Sequence, residues 1–283
     1  MPLLSADADA GLVGALSRLI ADGESNGNWA AGVLTIEDMQ TAPQSAEAQI
    51  HIEQGFAWDA QAAYLFDIDG TLLRDPDRIH MDSFAPSIRQ VTGIEVSLEG
   101  VPVHGNTDTG ILREACRRAG ISTEILEPQI GAIMDAMCLA VAGHRDQMRI
   151  VLMPGVKAAL DHLARKGALL GVATGNLEAI GWIKIEKAGL REWFRFGGFS
   201  NDFPVRAAQI GDAARKAREL AGKDATVCVV GDTPRDIEAA RANGLAVIAV
   251  ATGNFSYETL LALRPDACAT SLADLMAHMA VAA

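Results

Sequence analysis

Residues 63–71, with the sequence AYLFDIDGT, decide the fold of this 283-residue chain. The first four residues form a continuous apolar run, which is typical of a strand buried on both faces of a parallel sheet. Asp67 and Asp69 follow this run directly, and two carboxylates at the end of a buried strand are costly unless a cation lies near them. Gly70 then permits a backbone conformation that is closed to residues with a Cβ atom. Because Asp-Gly is also a common turn dipeptide, the stretch indicates either a cation site or an ordinary turn.

Apolar runs and helical patterns alternate from residue 63 onward, which predicts right-handed βαβ units. Further apolar runs lie at residues 168–173, 226–230 and 245–250, with a weaker one at 267–270. Helical patterns lie at residues 156–166, 177–188, 207–221, 235–243 and 272–279. The predicted fold class is therefore α/β, with a Rossmann-like, doubly wound parallel sheet.

Two segments depart from this alternation. Residues 77–149 carry mostly helical patterns, at 84–91, 108–119 and 124–142, and we expect an inserted α-helical cap over the carboxyl edge of the sheet. Residues 1–62 form an N-terminal extension whose role the sequence does not indicate. Its readable features are a helical face (Leu12, Leu16, Leu19, Ile20) stopped at Gly23, and a strand-like alternation at 48–52. The catalytic core is predicted to comprise residues 63–76 and 150–283.

Composition and charge disfavour nucleic acids and membranes as partners. The formal net charge is −12 and there is no basic run, which disfavours nucleic-acid binding. No apolar run approaches the roughly 20 residues needed to span a bilayer, and the N-terminus does not resemble a secretory signal, so we expect no membrane partner. The four cysteines are widely spaced and form no C-x-x-C pair, which is typical of free thiols in a cytoplasmic protein. The oligomeric state cannot be predicted.

Polar residues follow the later strands as well. Thr174, Gly175 and Asn176 follow the run at 168–173, and a hydroxyl before a glycine and a helix start suits an anion, although helix capping explains it equally well. Asp232 and Asp236 follow the run at 226–230, with a proline between them that suits a first helical turn. Such a second pair of acids is the kind of hard oxygen ligand that Mg²⁺ takes.

A basic residue is needed beside any bound phosphate in so acidic a chain. Arg206, near the start of the helix at 207–221, is one candidate and Lys216 is its rival. Taken alone, either residue could equally be an ordinary surface side chain.

In order and placement these residues resemble the motifs of the haloacid dehalogenase superfamily. Residues 67–71 match its first motif, D-x-D-x-[TV], and Thr174 matches its second. Asp232 and Asp236 match the fourth motif, GD-x-x-x-D. The third motif is commonly a lysine followed by proline, which is absent here; Arg206 has nearly the usual spacing to Asp232, whereas Lys216 lies inside its helix. The fragments GNTD (105–108), TGNLE (174–178) and GGFSND (197–202) further resemble the phosphoglycolate-phosphatase-like branch, which has a helical cap.

The resemblance implies a Mg²⁺-dependent phosphatase acting on a small phosphorylated metabolite. Asp67 would attack phosphorus to form an aspartyl-phosphate, and Asp69 would act as general acid and base. Thr174 and Arg206 would hold the phosphoryl oxygens. The implied metal site comprises Asp67, Asp69 through its backbone carbonyl, and Asp232, with Asp236 orienting Arg206 or a metal-bound water.

Other activities occur on the same fold. Dehalogenases of the superfamily lack an acid at the position of Asp69, and phosphonate-cleaving members use a cap lysine, whereas residues 77–149 contain no lysine. A sugar-phosphate mutase and a non-catalytic binding protein stay open. Gly175 and Asn176 are further candidate substrate contacts, as are Thr107 and Asp108, which could instead cap a helix. His80 and His104 are more typical of surface or loop histidines than of substrate contacts.

Overall fold

A seven-stranded sheet forms the centre of the computed structural model, which describes residues 48–282. Its strands are β1 (Ile50–Ile52), β2 (Ala63–Phe66), β5 (Leu169–Ala173), β6 (Phe196–Gly198), β7 (Val227–Gly231), β8 (Ala246–Val250) and β9 (Ala267–Ala269). Their spatial order is β1-β9-β8-β7-β2-β5-β6, with β1 antiparallel to β9 and every other pair parallel. A separate two-stranded ladder pairs β3 (Leu73–Arg74) with β4 (Val151–Leu152).

Helices connect the strands and form the insertion. Those of the insertion are α1 (Phe84–Thr92), α2 (Asp108–Arg118), α3 (Thr123–Leu126) and α4 (Ile130–Gly143). Those that flank the sheet are α5 (Val156–Arg165), α6 (Glu178–Lys187), α7 (Arg206–Ala221), α8 (Pro234–Ala242), α9 (Tyr257–Ala262) and α10 (Leu272–Ala282). Short 3-10 turns lie at Met81–Ser83, Glu127–Gln129 and Arg191–Trp193.

The two faces of the sheet bury separate apolar clusters. Alternate residues of β2 supply both: Tyr64 and Phe66 lie in a cluster with α5 and α10, and Ala63 and Leu65 lie in a cluster with α7 and α8. All four side chains of β2 are fully buried, because helices cover both faces of the sheet. The predicted doubly wound α/β fold class is confirmed.

Part of the predicted N-terminal extension belongs to the sheet. Residues 50–52 pair antiparallel with residues 269–267 and so add a strand beside β9. Such a strand satisfies backbone groups that an edge strand would leave unpaired, and backbone pairing of this kind leaves little trace in sequence. The helical face predicted at Leu12–Ile20, with its stop at Gly23, lies outside the described residues.

The insertion has its own apolar core. Ile88, Ile111, Ile133 and Met137 pack there, together with Leu177 from the segment before α6. The helix predicted at 124–142 is divided into α3, a 3-10 turn containing Pro128, and α4, since proline cannot donate the hydrogen bond that a continuous helix needs. β3 precedes the insertion and β4 follows it, so their pairing holds the two ends of the insertion together.

Within the described part of the chain, residues 123–143 are long and apolar enough to cross a membrane by length and composition, with a mean hydropathy of 1.5. The expectation that no apolar run approaches this length was therefore too strong. A single stretch of this kind does not establish a span; 22% of its most apolar window is buried, and Ile133, Met137 and Val141 of the stretch pack in the core of the insertion. All four cysteines are unpaired, as predicted.

Asp59 joins the segment before β2 to α5, and replacing it should lower stability. Its carboxylate accepts hydrogen bonds from His162 (2.7 Å) and Lys166 (2.8 Å). Burial acts to raise the pKa of Asp59, but these two partners hold it below its ordinary value of 3.8. We expect Asp59→Asn to lower the free energy of unfolding by about 1 kcal/mol at neutral pH.

The pH dependence of that difference checks its origin. A lowered folded-state pKa contributes stability that is present above the ordinary value and is lost as the pH falls through the lowered one. Urea denaturation of both proteins should therefore show the difference shrinking below pH 3.8. A difference that stays constant across this range would contradict the ion-pair explanation.

Candidate active site

Three predicted site residues meet where neighbouring strands end. Phe66, near the end of β2, pairs with Val172 of β5 on one side and Val230 of β7 on the other. The residues that follow these strands, Asp67, Thr174 and Asp232, therefore emerge at one edge of the sheet. They line a cavity of about 450 Å³ between the sheet and the insertion, together with Asp69, Gly175, Asn176, Arg206 and Asp108.

Arg206 lies beside the predicted nucleophile. Its guanidinium is 2.9 Å from Asp67 Oδ1 and 2.6 Å from Asp236 Oδ1, and it also donates to the Ala173 carbonyl at 3.0 Å. Its side chain is 5% exposed, so these contacts take place with little competing water. Lys216 instead pairs with Asp212 at 2.9 Å and donates to the Gly197 carbonyl, away from the cavity.

The carboxylates of Asp67 and Asp232 are buried close to other negatively charged side chains, which raises their pKa values. Burial raises the pKa of Asp67 to about 6, against the attraction of Arg206, and the charges of Asp236 and Asp69 add to the rise. Burial and the neighbouring Asp67 raise the pKa of Asp232 well above its ordinary value. A divalent cation would offset the repulsion and favour both ionised forms.

The donor set fits such a cation. One carboxylate oxygen from each of Asp67, Asp232 and Asp236 lies within 4.8 Å of the others, and all three residues are buried. Carboxylate oxygens are the ligands that Mg²⁺ and Ca²⁺ take. Asp236 is the least available of the three: Arg206 contacts its Oδ1, and its Oδ2 accepts hydrogen bonds from Thr233 in the capping box of α8.

Two glycines leave room for Asp232. A Cβ atom on Gly70, at φ +88°, or on Gly253 would collide with the Asp232 carboxylate. Thr71 donates a hydrogen bond to Asp232 Oδ1 at 2.8 Å. The Asp232 carboxylate therefore lies against the backbone at Gly70 and at Gly253 and is held by the Thr71 hydroxyl.

Asp69 is held by a lysine that the sequence analysis missed. Lys184 Nζ donates to Asp69 Oδ1 at 2.7 Å and to Oδ2 at 2.8 Å, and Asn176 Nδ2 donates to Oδ2 at 2.8 Å. Burial acts to raise the pKa of Asp69, but Lys184 and Asn176 hold it below its ordinary value. Asn176 also donates to the Thr174 hydroxyl at 2.7 Å, which orders the end of β5. A signal for Lys184 was present, because it continues the apolar stripe of α6 formed by Leu177, Ile180 and Gly181.

The insertion contacts this site through Asp108. Its Oδ2 accepts a hydrogen bond from the Leu177 amide at 2.7 Å and lies 2.9 Å from His80 Nε2, while its own amide donates to the Gly175 carbonyl at 2.7 Å. His80 lies in a turn, as expected of a loop histidine, but its side chain is buried and not at the surface. His104 lines the cavity beside Asn254.

Thr107 is used for structure rather than for contact with the cavity. Its hydroxyl accepts from the Gly110 amide as the N-cap of α2 and donates to the Pro204 carbonyl at 2.8 Å. Both hydrogen bonds stabilise the start of a helix and its docking on the core. Of the two roles left open for Thr107, the structure shows the helix cap, whereas Asp108, Gly175 and Asn176 line the cavity.

Comparison with known proteins agrees with this arrangement. The sequence profile of the haloacid dehalogenase-like hydrolases matches residues 61–244. A phosphoglycolate phosphatase of Synechococcus elongatus is 27% identical over 226 residues, covering 76% of this chain and 95% of the relative. A phosphoglycolate phosphatase of Mesorhizobium japonicum is 26% identical over 192 residues, covering 67% of this chain and 82% of the relative.

Solved structures show the same fold. CbbY from Rhodobacter sphaeroides, in complex with phosphate, superposes with a TM-score of 0.57 at 20% identity and covers 76% of this chain and 96% of its own. A predicted phosphoglycolate phosphatase from Haemophilus somnus gives a TM-score of 0.53 at 19% identity, covering 77% and 98%. The resemblance noted in the sequence is confirmed: the chain belongs to the haloacid dehalogenase-like hydrolase family.

Proposed function

We propose that this protein is a Mg²⁺-dependent phosphatase that hydrolyses a small phosphate monoester through an aspartyl-phosphate on Asp67. The observation that carries the proposal is the position of Asp67. Its carboxylate lies 2.9 Å from Arg206, beside Asp232, in a cavity between the sheet and the helical insertion. Asp67 can attack phosphorus as a nucleophile, and the Arg206 guanidinium beside it can pair with the negatively charged phosphoryl oxygens.

The other residues divide the remaining work. Arg206, the Thr174 hydroxyl and the backbone after β5 bind the phosphoryl oxygens, and Asp236 holds Arg206 in place. Asp69 first exchanges its ion pair with Lys184 for a proton from solvent and gives that proton to the departing oxygen. Its carboxylate then takes a proton from the attacking water, while Asp67 carries the phosphoryl group between the two steps. Mg²⁺, held by Asp67, the Asp69 carbonyl and Asp232, would reduce repulsion between the nucleophile and the substrate.

The cavity favours a small anionic substrate. Arg74 and Arg78 also line it, which adds positive charge beside the proposed phosphate position, whereas the charge of Lys184 is paired with Asp69. The named relatives are phosphoglycolate phosphatases, and phosphoglycolate carries a second anionic group next to its ester. We therefore propose phosphoglycolate as the first candidate substrate, in a cytoplasmic enzyme without nucleic-acid or membrane partners.

The experiment is a panel of phosphorylated metabolites, with and without Mg²⁺, in which release of inorganic phosphate is measured and kcat/KM is compared across substrates. Phosphoglycolate, sugar phosphates, nucleotides and p-nitrophenyl phosphate form the panel. We expect Mg²⁺-dependent release, abolished by EDTA and restored by added Mg²⁺. Absence of turnover with every ester would overturn the proposal. Rearrangement of a sugar phosphate without phosphate release would identify a mutase instead.

Gly70→Ala tests the confinement of Asp232. Its Cβ would collide with that carboxylate, and a displacement of about 1 Å near the reacting groups can cost about 100-fold in rate. We expect kcat/KM to fall by about that factor and half-saturation by Mg²⁺ to move to higher concentration.

Gly55→Ala is the matched control for this change. Gly55 has φ +87°, against +88° for Gly70, and no atom lies within 4 Å of the Cβ that it would gain. Both variants should lose about 1 kcal/mol of stability from the left-handed backbone. Only Gly70→Ala should lose activity, and equal losses of activity would rule out the collision as the cause.

A further inference from the structure

Apolar side chains of the insertion line one part of the cavity. Val101 and Ile111 are buried and the other three are half-buried, and the five are Met81, Leu98, Val101, Val103 and Ile111. All five also pack against the apolar core of the insertion, which holds them in place. We call these five side chains the apolar wall. A phosphoryl group needs charged or hydrogen-bonding partners, so the apolar wall suits a different part of a substrate.

Hydrogen bonds in the loop before α2 order three side chains of the apolar wall. Leu98 and Val101 are the ends of a turn, in which the Val101 amide donates to the Leu98 carbonyl at 3.0 Å. The Asn106 amide donates to the Val103 carbonyl at 3.2 Å. Leu98, Val101 and Val103 therefore line the cavity from a backbone that is fixed by its own hydrogen bonds.

Polar side chains of the insertion that line the cavity have partners inside the protein. His80 Nε2 lies 2.9 Å from Asp108 Oδ2, and His104 Nδ1 lies 3.0 Å from Asn254 Nδ2. Arg78 adds positive charge at the edge of the cavity, where its side chain is 71% exposed. The apolar wall is thus the largest surface that the insertion offers to an uncharged part of a substrate.

The position of the reacting groups decides which part of the substrate reaches this surface. Those groups come from the core, and they are Asp67, Thr174, Arg206 and Asp232. The cavity lies between the core and the insertion, so an ester whose phosphoryl group is held by the core directs its leaving group toward the insertion. The cavity of about 450 Å³ has room for more than ten water molecules, at roughly 30 Å³ each. A two-carbon leaving group such as glycolate fills only part of it.

We infer that the apolar wall binds the leaving group of the substrate, and that this leaving group is an alcohol with an apolar chain or ring. The inference rests on the function proposed above, because it assigns the alcohol of a phosphate ester to this surface. Full burial of one methylene group favours binding by about 4-fold, and partial contact with the apolar wall should favour it by about 2- to 3-fold. Affinity should therefore rise with each carbon atom that reaches the wall.

The test compares ethyl, butyl and hexyl phosphate as substrates of wild type in the presence of Mg²⁺. Their alcohols have similar pKa values, so a difference in kcat/KM reports contact with the chain rather than ease of departure. We expect kcat/KM to rise by about 2- to 3-fold for each methylene, which makes hexyl phosphate about 16- to 80-fold better than ethyl phosphate.

Leu98→Asn places an amide in the apolar wall at nearly unchanged size. We expect kcat/KM to fall by about 10-fold with hexyl phosphate and by less than about 2-fold with ethyl phosphate. Leu139→Asn is the matched control, because Leu139 belongs to the insertion but is 74% exposed and lies outside the cavity. It should leave the ratio of the two values unchanged. If Leu98→Asn does not fold, Val103→Thr, which keeps the shape and adds a hydroxyl, takes its place.

Binding of ethyl-, butyl- and hexylphosphonate, measured by titration calorimetry, provides a readout without turnover. If wild type releases phosphate from no ester, the proposed function fails, and the phosphonate affinities still show whether the apolar wall binds a chain. Turnover with equal kcat/KM and equal phosphonate affinity across the series overturns the inference alone. A rise with chain length that the Leu98 or Val103 variant leaves unchanged also overturns it, because another surface would then bind the chain.

Discussion

Asp67→Asn is expected to lower kcat by about 10⁴-fold or more, since an amide cannot form the phosphoryl-enzyme and the removal of a covalent nucleophile has effects of this order. The substitution changes size very little. Burial raises the pKa of Asp67 to about 6, so its ionised form costs the metal-free protein stability at neutral pH. We therefore expect the melting temperature of Asp67→Asn without Mg²⁺ to be no lower than that of wild type.

The measurement combines steady-state turnover with thermal unfolding, and adds acid quenching of the enzyme mixed with ³²P-labelled substrate. Wild type should retain protein-bound label and Asp67→Asn should not. Asp135→Asn, at an exposed position of α4, is a control for an aspartate lost elsewhere. Activity of Asp67→Asn near the wild-type value, in a folded protein, would reject Asp67 as the nucleophile.

Arg206→Ala should harm both activity and stability. It would leave Asp67 and Asp236 buried without the guanidinium that lies 2.9 and 2.6 Å from them. Breaking a buried ion pair by removing one partner costs about 3–5 kcal/mol of stability. The loss of a donor that meets transition-state charge should lower kcat/KM by about 100-fold or more. Bound Mg²⁺ should reduce the loss of stability, because it would screen the two acids.

Lys216→Ala is the matched control, since this lysine lies on the same helix as Arg206 and pairs with Asp212 near the surface. We expect a loss of less than about 1 kcal/mol and nearly unchanged kcat/KM. Urea denaturation and the phosphate-release assay measure both quantities. The reverse order of effects would move the phosphate ligand from Arg206 to Lys216.

Much of the core could be predicted because burial on both faces leaves a simple signal. The apolar runs at 63–66 and 245–250 correspond to β2 and β8 within one residue. Acids that follow such runs must lie at the carboxyl edge of a parallel sheet, so Asp67 and Asp232 could be placed together from sequence. Spacing to Asp232 and the position of Lys216 inside its helix favour Arg206, and in the structure Arg206 is the one that lies beside Asp67.

Other features had no signal of this kind. The ladder between β3 and β4 has two residues on each strand, too few for a periodicity, and β1 depends on backbone pairing with β9. Thr107 could be either a helix cap or a substrate contact, because a hydroxyl suits both, and only its distance to Pro204 distinguishes them. The apolar stripe of its helix indicates that Lys184 is buried, but its contact with Asp69 spans more than 100 residues of sequence and no local pattern encodes that partner.

The place of β2 in the sheet has a consequence for how the chain folds during synthesis. Residues 63–66 of β2 pair with residues 169–172 of β5 on one side and with residues 227–230 of β7 on the other. Because the whole insertion is translated between β2 and β5, an apolar strand stays without partners while more than a hundred residues emerge. At ribosomal speeds this wait lasts on the order of ten seconds. The strand before Asp67 is therefore exposed to aggregation during that interval, and its pairing is a long-range step that slows folding.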